Sequence, residues 1–246
     1  MTDPKLEHDV ATIDPEIYFA HYYEEPHPDD DVVLRIACEA IRESRPAGLL
    51  DCLDVGTGAN LYPLFAALPR AARLTAWEYA KPNVDWLKKE LAGGGMRPQW
   101  RHFWQVVKGC YPSNAGLTTD PIAALRTRTT IHQGSIFDLP ERSFDVATMF
   151  FCAEAVSDKK AEFDRACRCF ARSVRAGGTL VAAFLLNSKS YVLGERRYAV
   201  MTLSEESLVQ TFSTLATGLK LQKIGLVEKE VRSGYTGMAL LTGESV

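Results

Sequence analysis

Four groups of residues in this chain have the types and the spacing to do chemistry. The first is LLDCLDVGTG over Leu49–Gly58, where an apolar run ends in Asp54 and breaks at once into Gly56-Thr57-Gly58. A strand that turns through glycines into a helix builds a ligand site beyond the carboxyl end of a sheet. Glycine there lets backbone approach a ligand that a Cβ would displace. The second is Glu78, which ends the next apolar run 24 residues after Asp54. A carboxylate in that place accepts both hydroxyl hydrogens of a ribose. The third glycine of a dinucleotide fingerprint is missing, with Leu61 in its place. The pair therefore favours an adenosine that carries no pyrophosphate.

The third group is the tyrosines of IYFAHYY, Tyr18, Tyr22 and Tyr23. Tyrosine hydroxyls supply donors to a ligand's buried carboxylate without adding charge; the plainer reading is a strap packed on the domain. Glu154, in FFCAEAV, is an acid set just after an apolar strand. It reads either as an acid or base at a reacting group or as a helix N-terminal acid favoured by the dipole. Cys38, Cys52, Cys110, Cys152, Cys167 and Cys169 form no CxxC pair and have no histidine at metal-ligand spacing. They read as buried free thiols, with no metal site.

The elements that must carry these residues alternate. Val33, Ile36, Ala37 and Ile41 are spaced as a helix over Asp31–Glu43. Leu49–Val55 and Arg73–Glu78 read as strands, the first followed by a helix ending near Leu68 and the second by one closing at Gly93–Gly95. FDVATMFF and TLVAAFLL are further strands, separated by a helix through DKKAEFDRACRCFARSVRAGG with a glycine stop. SEESLVQTFSTLATG reads as a capped helix, and LQKIGLVEKEV and GMALLTG as two strands joined by a turn. This pattern predicts an α/β fold, a doubly wound, mostly parallel sheet with an antiparallel C-terminal hairpin. Residues 1–30 read as an ordered but irregular arm or lid, and residues 93–130 as an insertion outside the alternation, within a single domain over 1–246.

Bulk composition narrows the classes. The formal charge is −3 and 46% of residues are hydrophobic, with no basic stretch to track nucleic acid. The polar, acidic start MTDPKLEHDV lacks a signal-peptide layout, and no apolar run reaches membrane-span length. The expectation is a cytoplasmic protein, a monomer or weak dimer, with a small-molecule partner and neither nucleic acid nor membrane.

DVGTGANLYPLFA, WEYAKPN, FDVATMFFCAEAVSD, AGGTLV and SYVLGE together resemble the nicotinamide, phenylethanolamine and thioether methyltransferase family, over a stretch running from about Tyr18 to the C-terminus. The more specific pieces are IYFAHYY, FCAEAVS, SYVLGE and Tyr62 four residues beyond Gly58. The resemblance implies a seven-stranded Rossmann-like sheet, S-adenosylmethionine as cofactor and S-adenosylhomocysteine as product. It places Tyr18, Tyr23 and Tyr62 at the cofactor's carboxylate and Gly56, Thr57 and Gly58 under its methionine portion. Glu78 would hold the ribose, Tyr79 and Asn83 would flank the adenosine, and Ser135 and Ile136 would meet the adenine. Relatives often carry Asp-Val at those last two positions; here the acid is replaced by Ser135.

At the acceptor, the resemblance puts Glu154 and Tyr23 in catalytic roles. Phe184 stands about where the nicotinamide branch carries an aspartate. Tyr18, Phe151, Glu154, Phe184, Tyr191 and Tyr235, with Phe150 and Trp100 or Trp104 nearby, are expected to make an aromatic-lined acceptor pocket. Such a lining suits flat rings. Some bacterial relatives resemble natural-product tailoring enzymes, so an indole-type acceptor assisted by Glu154 is the expectation. An amine or pyridine acceptor is the alternative. A non-catalytic cofactor-binding protein and an NAD(P)-binding oxidoreductase are the readings from other classes.

Overall fold

The apolar runs become neighbours in one sheet, and their order explains where a ligand can sit. The computed structural model describes residues 6–7, 10–45, 47–93, 95–225 and 234–246. In chain order the elements are β1 (Leu6–Glu7), α1 (Pro15–Tyr23), α2 (Pro28–Glu43), β2 (Leu50–Val55), α3 (Tyr62–Ala67), β3 (Ala71–Glu78), α4 (Lys81–Ala92), α5 (Pro98–Gly109), α6 (Pro121–Arg128) and β4 (Thr129–Gln133). There follow β5 (Phe144–Phe150), α7 (Ala153–Val156), α8 (Lys160–Ser173), β6 (Val174–Leu185), β7 (Ser190–Leu193), β8 (Arg196–Ala199), α9 (Glu205–Phe212), β9 (Ala216–Ile224) and β10 (Met238–Ser245).

Seven strands lie in the order β4-β3-β2-β5-β6-β10-β9. The first five are parallel, and β10 runs antiparallel to both β6 and β9. This is the expected doubly wound sheet with its antiparallel closing pair. Alternate side chains leave a strand on opposite faces. Leu50 and Cys52 of β2 accordingly join Val146, Val181 and Ala183 under α2, α3 and α5. Leu53 and Val55 join Ala147, Met149, Leu180 and Ala182 under α8 and α9.

Several expectations need correction. The arm is not irregular: Asp14 accepts the N–H groups of Glu16 and Ile17 and starts α1, whose Phe19 and Tyr23 are buried in the main core. The 93–130 region holds two helices, and α5 buries Trp100, Phe103, Trp104 and Val107 as a helical stripe. Trp100 and Trp104 are thus core residues, packed on Phe65. The glycines after α8 do not stop the helix; β6 starts at Val174 and runs through a register shift opposite Phe144–Val146. A Cβ on Gly178 would press on the Asp145 carbonyl, so a glycine is needed where the two strands meet. α9 ends at Phe212 and β9 begins at Ala216, earlier than the sequence suggests, because Leu219 and Leu221 alternate with polar neighbours in a strand's rhythm. Residues 226–231 of that expected strand lie outside the described residues. A second sheet, β1-β8-β7, was not expected; in it Tyr191 stacks on Tyr198 with ring centroids 5.1 Å apart.

Candidate functional site

The strand order reverses between β2 and β5, and beyond their carboxyl ends opens a cavity of about 580 Å³. This is the topological switch point where open α/β sheets bind ligands. Its floor is the glycine turn. Gly56 donates its N–H to the Trp77 carbonyl (2.8 Å) and holds a left-handed φ of +68°. A Cβ there would overlap Cys152 Sγ, so the turn tolerates no side chain.

Glu78 closes one side. Its Oε1 accepts the Ala80 N–H (2.7 Å) and its Oε2 accepts the Gly58 N–H (2.8 Å), so the carboxylate is aimed at the turn by backbone on both sides. Burial pushes its carboxyl above the ordinary range, opposed by the Ala80, Gly58 and Asn83 donors. Glu78 lines the cavity beside the glycine turn. Beneath it, burial raises Asp54 to about 7, against a 2.6 Å hydrogen bond donated by Thr148 and a contact with Thr57.

Next to Glu78, Trp77 shapes the cavity's flat end. Its indole N–H donates to the Ser135 carbonyl (3.0 Å), and its ring stacks on His132 at 3.9 Å. A Cβ on Gly134 would come within 2.8 Å of that ring, so the β4 end lies directly against the indole. Trp77, Ile136, Phe137 and Val156 belong to one apolar cluster at this end. Ile13, Tyr18 and Tyr191, which also line the cavity, belong to a different cluster. Phe151 lines the wall with a left-handed φ of +54°, a conformation a bulky residue holds only when its surroundings enforce it.

Of the expected site residues, Tyr18, Gly56, Gly58, Glu78, Tyr79, Asn83, Ser135, Ile136, Phe151 and Tyr191 all line this one cavity. The others do not. Tyr23 and Tyr62 are buried behind the wall, where Asn60 donates to the Tyr23 hydroxyl (3.0 Å) and Tyr62 donates to Asp30 (3.2 Å). Burial drives both phenols upward. Thr57 is buried and turned toward the Asp54 carbonyl (3.4 Å). Phe184 is fully buried between Phe163 and Phe212, because its position in β6 faces α8 and α9. Tyr235 is in the main core with its hydroxyl on Asp29 (3.3 Å).

Glu154 is the largest correction. It is 1% exposed, and its Oε1 accepts the Leu185 N–H at 3.1 Å, where β6 ends. Its carbonyl accepts the N–H of Met201 (2.8 Å). The side chain thus fastens the end of β6 and the backbone carbonyl fastens Met201, and Glu154 is not among the residues that line the cavity. Residues not anticipated include Ile13, Trp77, Phe137, Cys152, Val156 and Glu162. Trp77 precedes Glu78 directly, so its place was readable. Glu162, on α8, left no signal in its sequence neighbourhood. Among the described residues no group of side chains could hold a metal ion, and no helix is long and apolar enough to cross a membrane.

The geometry has counterparts. The model of the NNMT/PNMT/TEMT family matches residues 5–241. Phenylethanolamine N-methyltransferase of Sus scrofa is 26% identical over 199 residues, covering 74% of this chain and 67% of that protein. Nicotinamide N-methyltransferase of Homo sapiens is 22% identical over 164 residues, covering 63% of this chain and 61% of that protein. The chain thus spans about three fifths to two thirds of the length of these relatives. Among solved structures, the Burkholderia thailandensis 1,6-didemethyltoxoflavin-N1-methyltransferase with bound 1,6-didemethyltoxoflavin and S-adenosylhomocysteine superposes with a TM-score of 0.52. It is 15% identical and the match covers 99% of this chain and 94% of that one, a likeness of fold.

Proposed function

The chain belongs to the NNMT/PNMT/TEMT family, and from that premise we propose that it moves the methyl group of S-adenosylmethionine onto a ring nitrogen of a small, flat, neutral heteroaromatic molecule. The observation that carries the acceptor class is the lining of the cavity end around Ile13, Tyr18, Phe151 and Tyr191, which is aromatic and apolar. Of the cavity's described lining residues only Glu78 and Glu162 are charged, and both belong to the walls that flank the glycine turn and Phe137.

The bound cofactor supplies an electrophilic methyl on a sulfonium. Everything else is positioning. Glu78, aimed at the turn by Ala80 and Gly58, holds the ribose hydroxyls, and the Gly56 turn lets the methionine portion lie against backbone. Trp77, Gly134 and Ile136 form the slot for the adenine. The acceptor ring lies among Tyr18, Phe151 and Tyr191, which exclude water and fix the approach along the methyl–sulfur axis. Holding two bound reactants in line accelerates such a displacement more than any proton transfer in the site could.

The position of Glu154 supports a nucleophile that needs no base. An indole N–H must lose its proton, and the acid expected to take it is buried outside the cavity lining, with its Oε1 on the Leu185 N–H. An azine-type ring nitrogen attacks with an in-plane lone pair and needs no base. A protonated amine would need a carboxylate facing it, which the aromatic end does not offer among its described residues. The test is release of S-adenosylhomocysteine with an acceptor panel of quinoline- and pyridine-type rings, indoles and phenylethylamines. The expected order places the azines first. Faster turnover with a phenylethylamine would overturn the acceptor class, and no turnover with any acceptor would overturn the enzymatic reading.

A further inference from the structure

At the cavity's flat end one hydrogen bond is left to assign. An adenine presents an exocyclic amino group there, which needs an acceptor, and this chain has Ser135 where relatives often place an acid. Ser135 is already engaged. Its carbonyl accepts from Trp77 Nε1 (3.0 Å) and from the Asp138 N–H (3.0 Å), using both lone pairs. Its Oγ accepts the Phe137 N–H (3.2 Å), which leaves one lone pair of a neutral hydroxyl, a weaker acceptor than a carboxylate. Asp138 is exposed and is not part of the cavity wall.

A carboxylate nonetheless stands at that end, brought by a different element. α8 packs on the Ile136–Asp138 turn, and Arg165 sits over the Phe137 ring with 4.3 Å to its centroid. Glu162 is one turn before Arg165 on the same helix face, and it lines the cavity together with Phe137, Ala155 and Val156. Its ion-pair partner is Lys159 at 3.7 Å, with the Glu162 and Lys159 side chains 45% and 73% exposed. An exposed pair of that length holds its members weakly, so the carboxylate is available to a ligand.

We infer that Glu162 accepts the 6-amino group of the cofactor's adenine, taking from α8 the part that an acid at position 135 would play. The inference rests on S-adenosylmethionine as the cofactor of this cavity. It makes adenine recognition in this chain a property of the α8 N-terminus and not of the β4 loop.

Calorimetric titration of the full chain with S-adenosylhomocysteine and with its analogue carrying purine in place of adenine, which lacks only the amino group, tests it. The wild type should prefer S-adenosylhomocysteine by about ten-fold, the scale of one charge-assisted hydrogen bond at a half-exposed site. In Glu162→Ala the two ligands should bind alike, with the purine analogue unchanged from wild type. Glu162→Gln, which keeps an acceptor oxygen but not its charge, should fall between. A preference that persists in full in Glu162→Ala overturns the inference, as does a wild type that binds both ligands equally. A wild type that binds neither overturns the cofactor reading instead.

Discussion

Glu154 shows what a residue's type and neighbours can and cannot reveal. An acid after an apolar strand is either aimed into a site or used to satisfy buried backbone, and the two look alike in a sequence. What separates them is the turn before it. Phe151 takes a left-handed backbone, which little in an aromatic residue announces, and the chain then carries Glu154 back against the end of β6. The position of Glu78 was legible because it depends on where a strand ends, and strands are read well from apolar runs. The structural role of Glu154 has a measurable signature. Glu154→Gln keeps an oxygen for the Leu185 N–H, so melting temperature and turnover should stay close to wild type. Glu154→Ala leaves that N–H buried without its acceptor and should cost about 1–3 kcal/mol of stability in urea unfolding. A steep loss of turnover in the Gln variant, with stability intact, would return the residue to the chemistry.

At the scale of elements, the mostly parallel character of the main sheet was readable, whereas the second sheet and the helices α5 and α6 between α4 and β4 were not. The stripe Trp100, Phe103, Trp104, Val107 has helical spacing. A strict strand–helix alternation simply has no slot for the helix that carries it. The arm poses the same problem in reverse, since its Pro- and Asp-rich flanks suggest a loop while Asp14 and Pro15 in fact start a helix. Phe19 packs on Trp86 and Trp100, and Tyr23 on Tyr62 and Phe103. Sequence reasoning alone suggests that removing residues 1–25 leaves a folded domain with weakened cofactor binding. The packing reverses that expectation. Loss of a buried aromatic side chain costs about 3–5 kcal/mol, so losing two removes much of the roughly 5–15 kcal/mol that holds a domain folded. The truncated chain should show little cooperative thermal unfolding by circular dichroism. A sharp melt near the wild-type temperature would show that α1 is only a cover.

Over the whole molecule, the polar layer beneath the cavity couples stability to pH. Asp30, at the start of α2, is raised from 3.8 to about 7, first by burial and then by the charges of Asp29 and Asp31, with the Tyr62 hydroxyl opposing. Asp54, under the glycine turn, is raised to about 7 by burial. Both carboxyls hold a proton more tightly folded than unfolded. Their favourable contribution is therefore whole below the unfolded value, near 4, and is lost as the pH rises through about 7. Asp30→Asn isolates one of them, because an asparagine keeps an oxygen for Tyr62 and cannot titrate. The variant should match the wild type in unfolding free energy near pH 4. It should pull ahead as the pH climbs toward 7, by at most about 1.4 kcal/mol per pH unit, and hold a constant lead above that. His102, paired with Asp31 at 2.7 Å, and His27, 3.7 Å from Asp29, are common to both proteins, and their effect falls largely out of the difference. Denaturant melts of the two proteins from pH 4 to 9 give the measurement. Two parallel curves would mean that Asp30 ionises as freely in the fold as out of it, and that the layer beneath the cavity is hydrated and not closed.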